Sequence, residues 1–253
     1  MRRIAISVAA ATVTFLPFVQ ASAQEAPTWA PVEIFGCNFV GNATMADLDA
    51  VIADWNQWMD DNGQNNYAAF VLTPHFVSAA FEYDVAWLGA WENGEALGSE
   101  QLWLTEGIAI SEDFGEVVDC PAHQAMAISM VRDIGEVADG DVVPAEFTNC
   151  TLNEGRTGPE AHQAIIEAAD YMAGQGSNAG HWVLRPGPGE DPEATYSFKW
   201  LTAYPSWADA GHDFEVYFNG GGDAALGDLT NSQFTCDHAR LYDTRMVRDI
   251  AGD

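Results

Sequence analysis

The side chains that could bind a ligand are concentrated in the second half of the chain. After residue 23 the first half keeps one cation, Arg132, and the other six follow residue 146: Arg156, Arg185, Lys199, Arg240, Arg245 and Arg248. Strand alternation would place His181 and Arg185 on one face, with Lys199 on the next strand. His238, Arg240 and Tyr242 would lie on the last strand. The sequence therefore predicts a pocket for a small polar aromatic or anionic molecule, formed by His181, Arg185, Lys199, His238, Arg240 and Tyr242. The alternative is that these side chains face solvent and pair with neighbouring acids.

Motifs that would define a reaction are absent from the sequence. The six histidines form no His-x-x-x-His or His-Glu-x-x-His pair, so we expect no metal site. Gly-x-Ser-x-Gly, phosphate-loop and dinucleotide-binding patterns are also missing. Catalytic residues are therefore unknown at this stage.

The charge balance excludes one class of partner. The chain carries 38 acidic residues against nine lysines and arginines, a formal net charge of −29. Because phosphate backbones require a basic surface, we expect no nucleic-acid partner. The hydrophobic fraction of 48% and the nine tryptophans indicate a folded, acidic protein.

The first 23 residues are typical of an export signal. Arg2 and Arg3 precede an apolar run, and Ala21-Ser22-Ala23 supplies the small residues of a cleavage site. A second long apolar segment does not follow, so we expect no membrane insertion and a periplasmic or secreted location.

An internal duplication organises the rest of the chain. Cys37 and Trp87 recur 113 residues later as Cys150 and Trp200, and Cys120 recurs 116 residues later. Three ordered blocks at nearly constant displacement favour two copies of one module. The domains are then 1–23 signal peptide, 24–134 repeat 1, 135–145 linker and 146–253 repeat 2.

Each repeat has the element order βαββαβ, which is that of a ferredoxin-like α+β module. Thr44 and Asp47 form a capping-box pattern at the start of the first helix, as Thr157 and Glu160 do in the second copy. The first and last strands of such a module are antiparallel neighbours. The sequence therefore predicts two disulfides, Cys37–Cys120 and Cys150–Cys236, in an exported protein.

A single ferredoxin-like sheet carries its helices on one face, so the other face needs cover. Trp87 and Trp91 alternate with smaller residues, as Trp200 and Tyr204 do in the second copy, and we expect these two aromatic faces to pack on each other. Arg132 and Arg248 recur at equivalent positions, where a salt bridge to the adjacent module would explain both.

With its Trp-Leu-x-Ala strand at Trp87 and Trp200 followed by a helix, the chain resembles the dimeric α+β barrel superfamily. That superfamily includes antibiotic-biosynthesis monooxygenase-like, haem-degrading and stress-responsive proteins. The resemblance implies two tandem ferredoxin-like repeats packed as a pseudo-dimeric α+β barrel, so that one chain could act as a monomer.

Two functions are compatible with these observations. The first is an exported small-molecule-binding protein or cofactor-independent monooxygenase-like enzyme, with its pocket chiefly in repeat 2. We expect no cofactor, with haem as the second choice, because neither repeat shows an evident axial histidine. The alternative is a non-catalytic structural or interaction module of the cell envelope.

Overall fold

The computed structural model describes residues 27–137 and 142–250. The predicted signal peptide lies outside these residues. The first half contains β1 (Ala30–Phe39), α1 (Met45–Asp61), β2 (Tyr67–Phe76), β3 (Val85–Trp91), α2 (Glu100–Glu106), α3 (Ile108–Val117) and β4 (Val118–Arg132). The second half contains β5 (Val142–Leu152), α4 (Gly158–Gly174), β6 (Gly180–Pro186), β7 (Phe198–Ala203), α5 (Trp207–Phe214), α6 (Gly222–Thr230), β8 (Phe234–Cys236) and β9 (Arg240–Arg248). A 3-10 helix (Ala96–Ser99) precedes α2, and a π-helix (Glu215–Asn219) follows α5.

The strands form one antiparallel sheet, which together with the helices gives a mixed α+β fold. Their order is β7-β6-β4-β1-β3-β2-β9-β5-β8, and β7 also pairs with β5. That last pairing closes eight strands into a barrel, while β8 extends the outer end of β5. The halves meet where β4 pairs with β6 and where β2 pairs with β9. Closure of the ring removes the exposed strand edges that a single half would leave.

The two halves use the same strand order and register. Within the first half the order is β4-β1-β3-β2, and within the second it is β9-β5-β7-β6. Val32 pairs with Ala90 on β3, and Ala145 pairs with Ala203 on β7. Both residues of the second pair lie 113 positions after those of the first.

Each half contains one disulfide, as predicted. The first joins β1 to β4, and the second joins β5 to β8, the first part of the divided last strand. Cys37 is bonded to Cys120 and Cys150 to Cys236, and the described residues contain no free cysteine. Cys150 and Cys236 are direct register partners between β5 and β8. Disulfides persist in oxidising surroundings, so both bonds indicate an oxidising, extracellular compartment. No helix within the described residues is long and apolar enough to cross a membrane.

The barrel interior is filled by side chains from both halves, ranging in size from alanine to phenylalanine and tyrosine. Its buried members are Val32, Leu72, Ala86, Leu88, Met126, Ala145, Phe147, Leu184, Leu201, Ala203 and Tyr242. The expected packing of the two aromatic faces on each other is wrong. Trp87 and Trp91 lie on the opposite face of β3, in the core beneath the helices. A closed eight-stranded ring has an interior just wide enough for such side chains, whereas two layers of indole rings would exceed it.

Several predicted boundaries also need correction. The linker was expected over 135–145, but Val142 already belongs to β5 and pairs with Arg245 on β9. Residues 138–141 lie outside the described part of the chain. Helices α3 and α6 were not predicted, and the last strand of the second half is divided into β8 and β9. The division occurs at Asp237, whose carboxylate accepts a hydrogen bond from the backbone N–H of Asn149 at 2.7 Å.

Arg248 ties the second half to the first helix. The residue is 8% exposed, and its guanidinium donates to Asn56 Oδ1 at 3.1 Å, Asp60 Oδ1 at 3.0 Å and the Gln64 carbonyl at 2.7 Å. The salt bridge to the adjacent module is therefore present for Arg248. Since α1 is one wall of the first half's core, this contact helps to hold that wall in place.

Candidate functional site

A cavity of about 310 Å³ lies between the helices and the sheet of the first half. Five of the nine tryptophans line it: Trp55, Trp58, Trp87, Trp91 and Trp103. Trp55 and Trp87 meet edge to face at a centroid distance of 5.1 Å, and Trp58 and Trp103 do so at 5.5 Å. The volume is at the lower end of the range found for small-molecule pockets. The walls therefore suit a compact ligand with apolar or aromatic surface.

The side chains of α1 explain why this space exists in the first half. Leu48 and Trp55 face the sheet from α1, whereas Ala161 and Ala168 hold the equivalent positions on α4. The distance between packed elements depends on the side chains between them. The two helices thus differ in side-chain volume at the positions that face the sheet.

The polar floor of the cavity can form because residue 89 is glycine and has no side chain. Glu33 on β1 is the register partner of Gly89 on β3. Tyr67 on β2 reaches across Gly89, and its hydroxyl donates to Glu33 Oε1 at 2.6 Å. A Cβ atom on residue 89 would overlap the Tyr67 hydroxyl. Glycine is therefore needed here for a close side-chain approach.

The Glu33–Tyr67 pair belongs to a longer chain of hydrogen bonds. Trp87 Nε1 donates to the Tyr67 hydroxyl at 2.9 Å, and His123 Nε2 lies 2.9 Å from Glu33 Oε2. His123 stacks on Phe35 with a centroid distance of 3.7 Å, and its side chain is 54% exposed. The network therefore joins the interior of the cavity to solvent through two groups that can carry a proton.

Burial and neighbouring charge alter the acid–base properties of this floor. Burial, then the charge of Glu33, raises the pKa of Tyr67 well above its usual value, so its hydroxyl stays a donor at neutral pH. Burial and then the charge of Glu33 also raise the pKa of Glu100, which lines the cavity from α2. Two carboxylates thus share a partly desolvated space.

The second half fills the corresponding space. Glu146 stands at the position equivalent to Glu33, but its carboxylate accepts from Tyr204 at 2.9 Å. The register pair Ala69–Gly89 of the first half becomes His181–Thr202 in the second. Larger side chains thus occupy the room that Gly89 leaves open in the first half.

The six residues predicted to bind a ligand do not line one cavity, and none lines the cavity of the first half. Buried His181 bonds Thr202 through Nδ1 at 3.1 Å, and burial lowers its pKa to about 4, which keeps it neutral. Tyr242 is buried in the barrel interior, where burial raises its pKa to about 12. Arg185 is exposed over the Trp29 ring at 4.3 Å.

The remaining three predicted residues lie near the outer end of β5. Lys199 donates to Asn149 at 2.9 Å, and Arg240 pairs with Asp237 at 2.9 Å. Lys199, Asn149 and Asp237 line a surface depression, and His238 is exposed next to Asp237. The tryptophan-lined cavity lies in the first half. A pocket chiefly in the second half stays a prediction. Ligand binding by the predicted set stays a prediction.

Lys199 is expected to react as an unusually acidic amine. It is the single lysine of the chain, and burial lowers its pKa from 10.5 to about 8. The folded state therefore binds this proton less tightly than the unfolded state, so stability should rise with pH between about 8 and 10.5. Pulsed acetylation read by mass spectrometry should give half-maximal labelling near pH 8 in folded protein. Labelling in urea is the control, with its midpoint above pH 10; the same midpoint in both states would contradict the burial of this amine.

Sequence reasoning missed Glu33, Tyr67, Gly89 and Glu100. One signal was present: Glu33 interrupts an apolar strand and recurs at the 113-residue displacement as Glu146. A carboxylate kept between Val32 and Ile34 in a strand whose neighbours are buried points to a polar partner inside the fold. The position equivalent to Gly89 is Thr202, and the smaller residue indicated that the first half has more space there.

Comparisons with known proteins agree with this fold. No protein-family model matches the sequence. No curated protein matches it either. Among solved structures, an anthrone oxidase-like protein superposes with a TM-score of 0.52 at 12% identity, covering 90% of this chain and 97% of that one. A candidate monooxygenase from Fusobacterium nucleatum gives 0.56 at 8% identity, covering 88% and 94%. Chlorite dismutase from Candidatus Nitrospira defluvii, in complex with imidazole, gives 0.52 at 7% identity, covering 85% and 90%.

These neighbours are dimeric α+β barrel proteins, and the chain has the fold of that superfamily. At such identities the likeness concerns the fold. The chemistry has to be argued from the residues of this chain.

The expectation that no cofactor is needed, with haem as second choice, is corrected by the comparisons. Structures described as chlorite dismutases recur among the neighbours, with TM-scores of 0.53 and 0.52. Haem is therefore a candidate cofactor of proteins with this fold.

The lining of the described cavity does not fit haem. Among the described lining residues none is histidine, lysine or arginine, and two are the carboxylates Glu33 and Glu100. Haem propionates would meet these acids, and the Tyr67 hydroxyl is already held by Glu33 and Trp87. No step is therefore derived through haem at this site.

Proposed function

We propose that the protein binds a small molecule with apolar or aromatic surface in the tryptophan-lined cavity of its first half. The observation that supports this is the gathering of five tryptophans around about 310 Å³ of space above one polar floor. Indole rings buried in an ordinary core pack without leaving such a space. The cavity favours binding in the first half, whereas the sequence-based prediction favoured the second.

A monooxygenase-like reaction is the catalytic form of this proposal. The structural neighbours include candidate monooxygenases and an anthrone oxidase-like protein, which supports the class at family level. The chain from Tyr67 through Glu33 to His123 could move a proton from a bound hydroxyl to solvent. Tyr67 would orient the ligand, and Glu33 would accept the proton.

The neutral bicyclic phenol 2-naphthol is a suitable probe of binding. We expect it to quench tryptophan fluorescence saturably with one site per chain. Trp103→Leu should weaken its binding about five- to tenfold, since stacking on one aromatic ring contributes about 1–1.5 kcal/mol. The matched control is Trp207→Leu, because Trp207 is 41% exposed and lies on α5 outside the cavity.

Two outcomes would contradict the proposal. Lack of saturable quenching would favour the non-catalytic interaction module, and equal weakening by both variants would place the probe elsewhere.

Haem is tested separately by titrating purified protein with haemin. A Soret band that persists when the cavity is saturated with 2-naphthol would assign haem to another site, whereas a band lost on saturation would overturn the argument from the cavity lining.

We further infer that the halves are two copies of one module that close the barrel within one chain, which could then act as a monomer. The shared strand order supports this, as does the pairing of Val32 with Met126 and of Ala145 with Tyr242 at displacements of 113 and 116 residues. We also infer export to the periplasm or medium, which the two disulfides support.

A further inference from the structure

The charge of the cavity restricts what it can bind. Its described lining contains the carboxylates of Glu33 and Glu100 and no cationic side chain. Glu33 is only 13% exposed. An anionic ligand would therefore meet two like charges in a partly desolvated space, where charge interactions are stronger than in water. The sequence led us to expect a small polar aromatic or anionic ligand. The charge of the cavity disfavours the anionic class and leaves a neutral or cationic ligand.

The two carboxylates differ in how they are satisfied. Glu33 accepts from Tyr67 and lies beside His123, so both of its oxygens have partners. Glu100 has no side-chain hydrogen bond or ion pair with any residue that the structure describes. Burial and then the charge of Glu33 raise its pKa, while the charge of His123 lowers it, so on balance the ionised carboxylate is disfavoured there. A positive group bound beside it would remove this penalty.

The walls add a second, independent attraction for positive charge. A cation over an indole face is stabilised by the ring quadrupole, and tryptophan is the most effective side chain for this interaction. Trp55 meets Trp87 at an interplanar angle of 81°, and Trp58 meets Trp103 at 76°. Because the two rings of each pair lie at near right angles, each pair presents aromatic surface in two directions. Aromatic walls with acids at one end are the arrangement that recognises substituted ammonium groups.

We propose that the ligand of this cavity carries a substituted ammonium group, held against the tryptophan walls and paired with Glu100 and Glu33. This inference rests on the proposed function, because it names the chemical class that the same cavity takes. The second half provides an internal control, since Glu146 is equivalent to Glu33 but is engaged by Tyr204 in a space that larger side chains fill.

The test compares two probes of equal shape, choline and its uncharged isostere 3,3-dimethylbutan-1-ol. Calorimetric titration of the wild-type protein should show choline binding at least tenfold more tightly than the neutral alcohol. The preference should diminish as the pH falls through the raised pKa of Glu100. Glu100→Gln should weaken choline about tenfold and leave the alcohol unchanged, whereas Glu146→Gln should affect neither probe.

The outcomes separate this inference from the proposed function. Equal affinity for the two probes in wild-type protein would overturn the ammonium assignment, and saturable 2-naphthol binding would then leave the proposed function intact. Failure of all three probes to bind would overturn both. Because the comparison of isosteres needs no substitution, it remains decisive if Glu100→Gln fails to fold.

Discussion

Removing the first disulfide by Cys37→Ala and Cys120→Ala together is expected to lower the free energy of unfolding by about 4 kcal/mol. The bond joins residues 83 positions apart, and the chain-entropy estimate for a loop of this length is about 4 kcal/mol. Native strain and residual structure in the unfolded chain reduce the effect, so this value is an upper estimate. Urea unfolding followed by circular dichroism measures it directly.

The matched comparison is removal of the second bond, between Cys150 and Cys236. Its residues are 86 positions apart, so the entropic effect should be nearly equal. The consequences for binding should differ, since Cys37 and Cys120 line the cavity and the second pair does not. Only loss of the first bond should therefore weaken 2-naphthol binding. A loss below about 1 kcal/mol for both bonds would show that the halves gain little from the cross-links.

Gly89→Ala is expected to be the most damaging single-methyl change at the site. The new Cβ would overlap the Tyr67 hydroxyl and ring, which are buried between Trp55 and Trp91. Tyr67 would have to leave Glu33, or β3 would have to move away from β2. Overpacking of this kind costs about 1–3 kcal/mol, and the loss of the hydrogen bond to a carboxylate adds about 1.5–3 kcal/mol. A decrease of about 3–5 kcal/mol in the free energy of unfolding is therefore expected.

The control for this change is Gly98→Ala. A Cβ at Gly98 meets no atom within 4 Å, and Gly98 does not line the cavity. Its substitution should change the stability by less than about 1 kcal/mol. If Gly89→Ala were equally mild, Tyr67 would not be held across β3 as the structure shows, and the polar floor would need another explanation.

Local patterns predicted most of the elements because each has a short-range cause. The first helix begins at Met45, directly after Thr44, and its capping box is formed, with the Thr44 backbone N–H donating to Asp47 Oδ2 at 2.8 Å. The disulfides followed from strand order alone. Helix α3 was missed because Gly115 weakens its helical signal, and it packs against α1, α2 and β4.

The site was predictable in part. The carboxylate Glu33 and its counterpart Glu146 were visible as charges in apolar strands at a fixed displacement. Their different roles were not visible, because Tyr67 reaches Glu33 across a third strand. Lys199, Arg240 and His238 did gather near one end of β5, but His181 and Tyr242 point into different cores. The number and order of charged residues do not show on which of two buried faces of a strand a given side chain lies.

The sequence by itself determined the α+β class, the disulfide pairing and the acidic character of this protein. These properties depend on periodicity, order and composition, which are local or additive. Only the tertiary structure decided where the cavity lies and which charged side chains line it. That outcome depends on differences in side-chain volume between the halves, Trp55 against Ala168 and Gly89 against Thr202. Within each half these residues meet neighbours that are distant in the sequence and become close only in the folded chain.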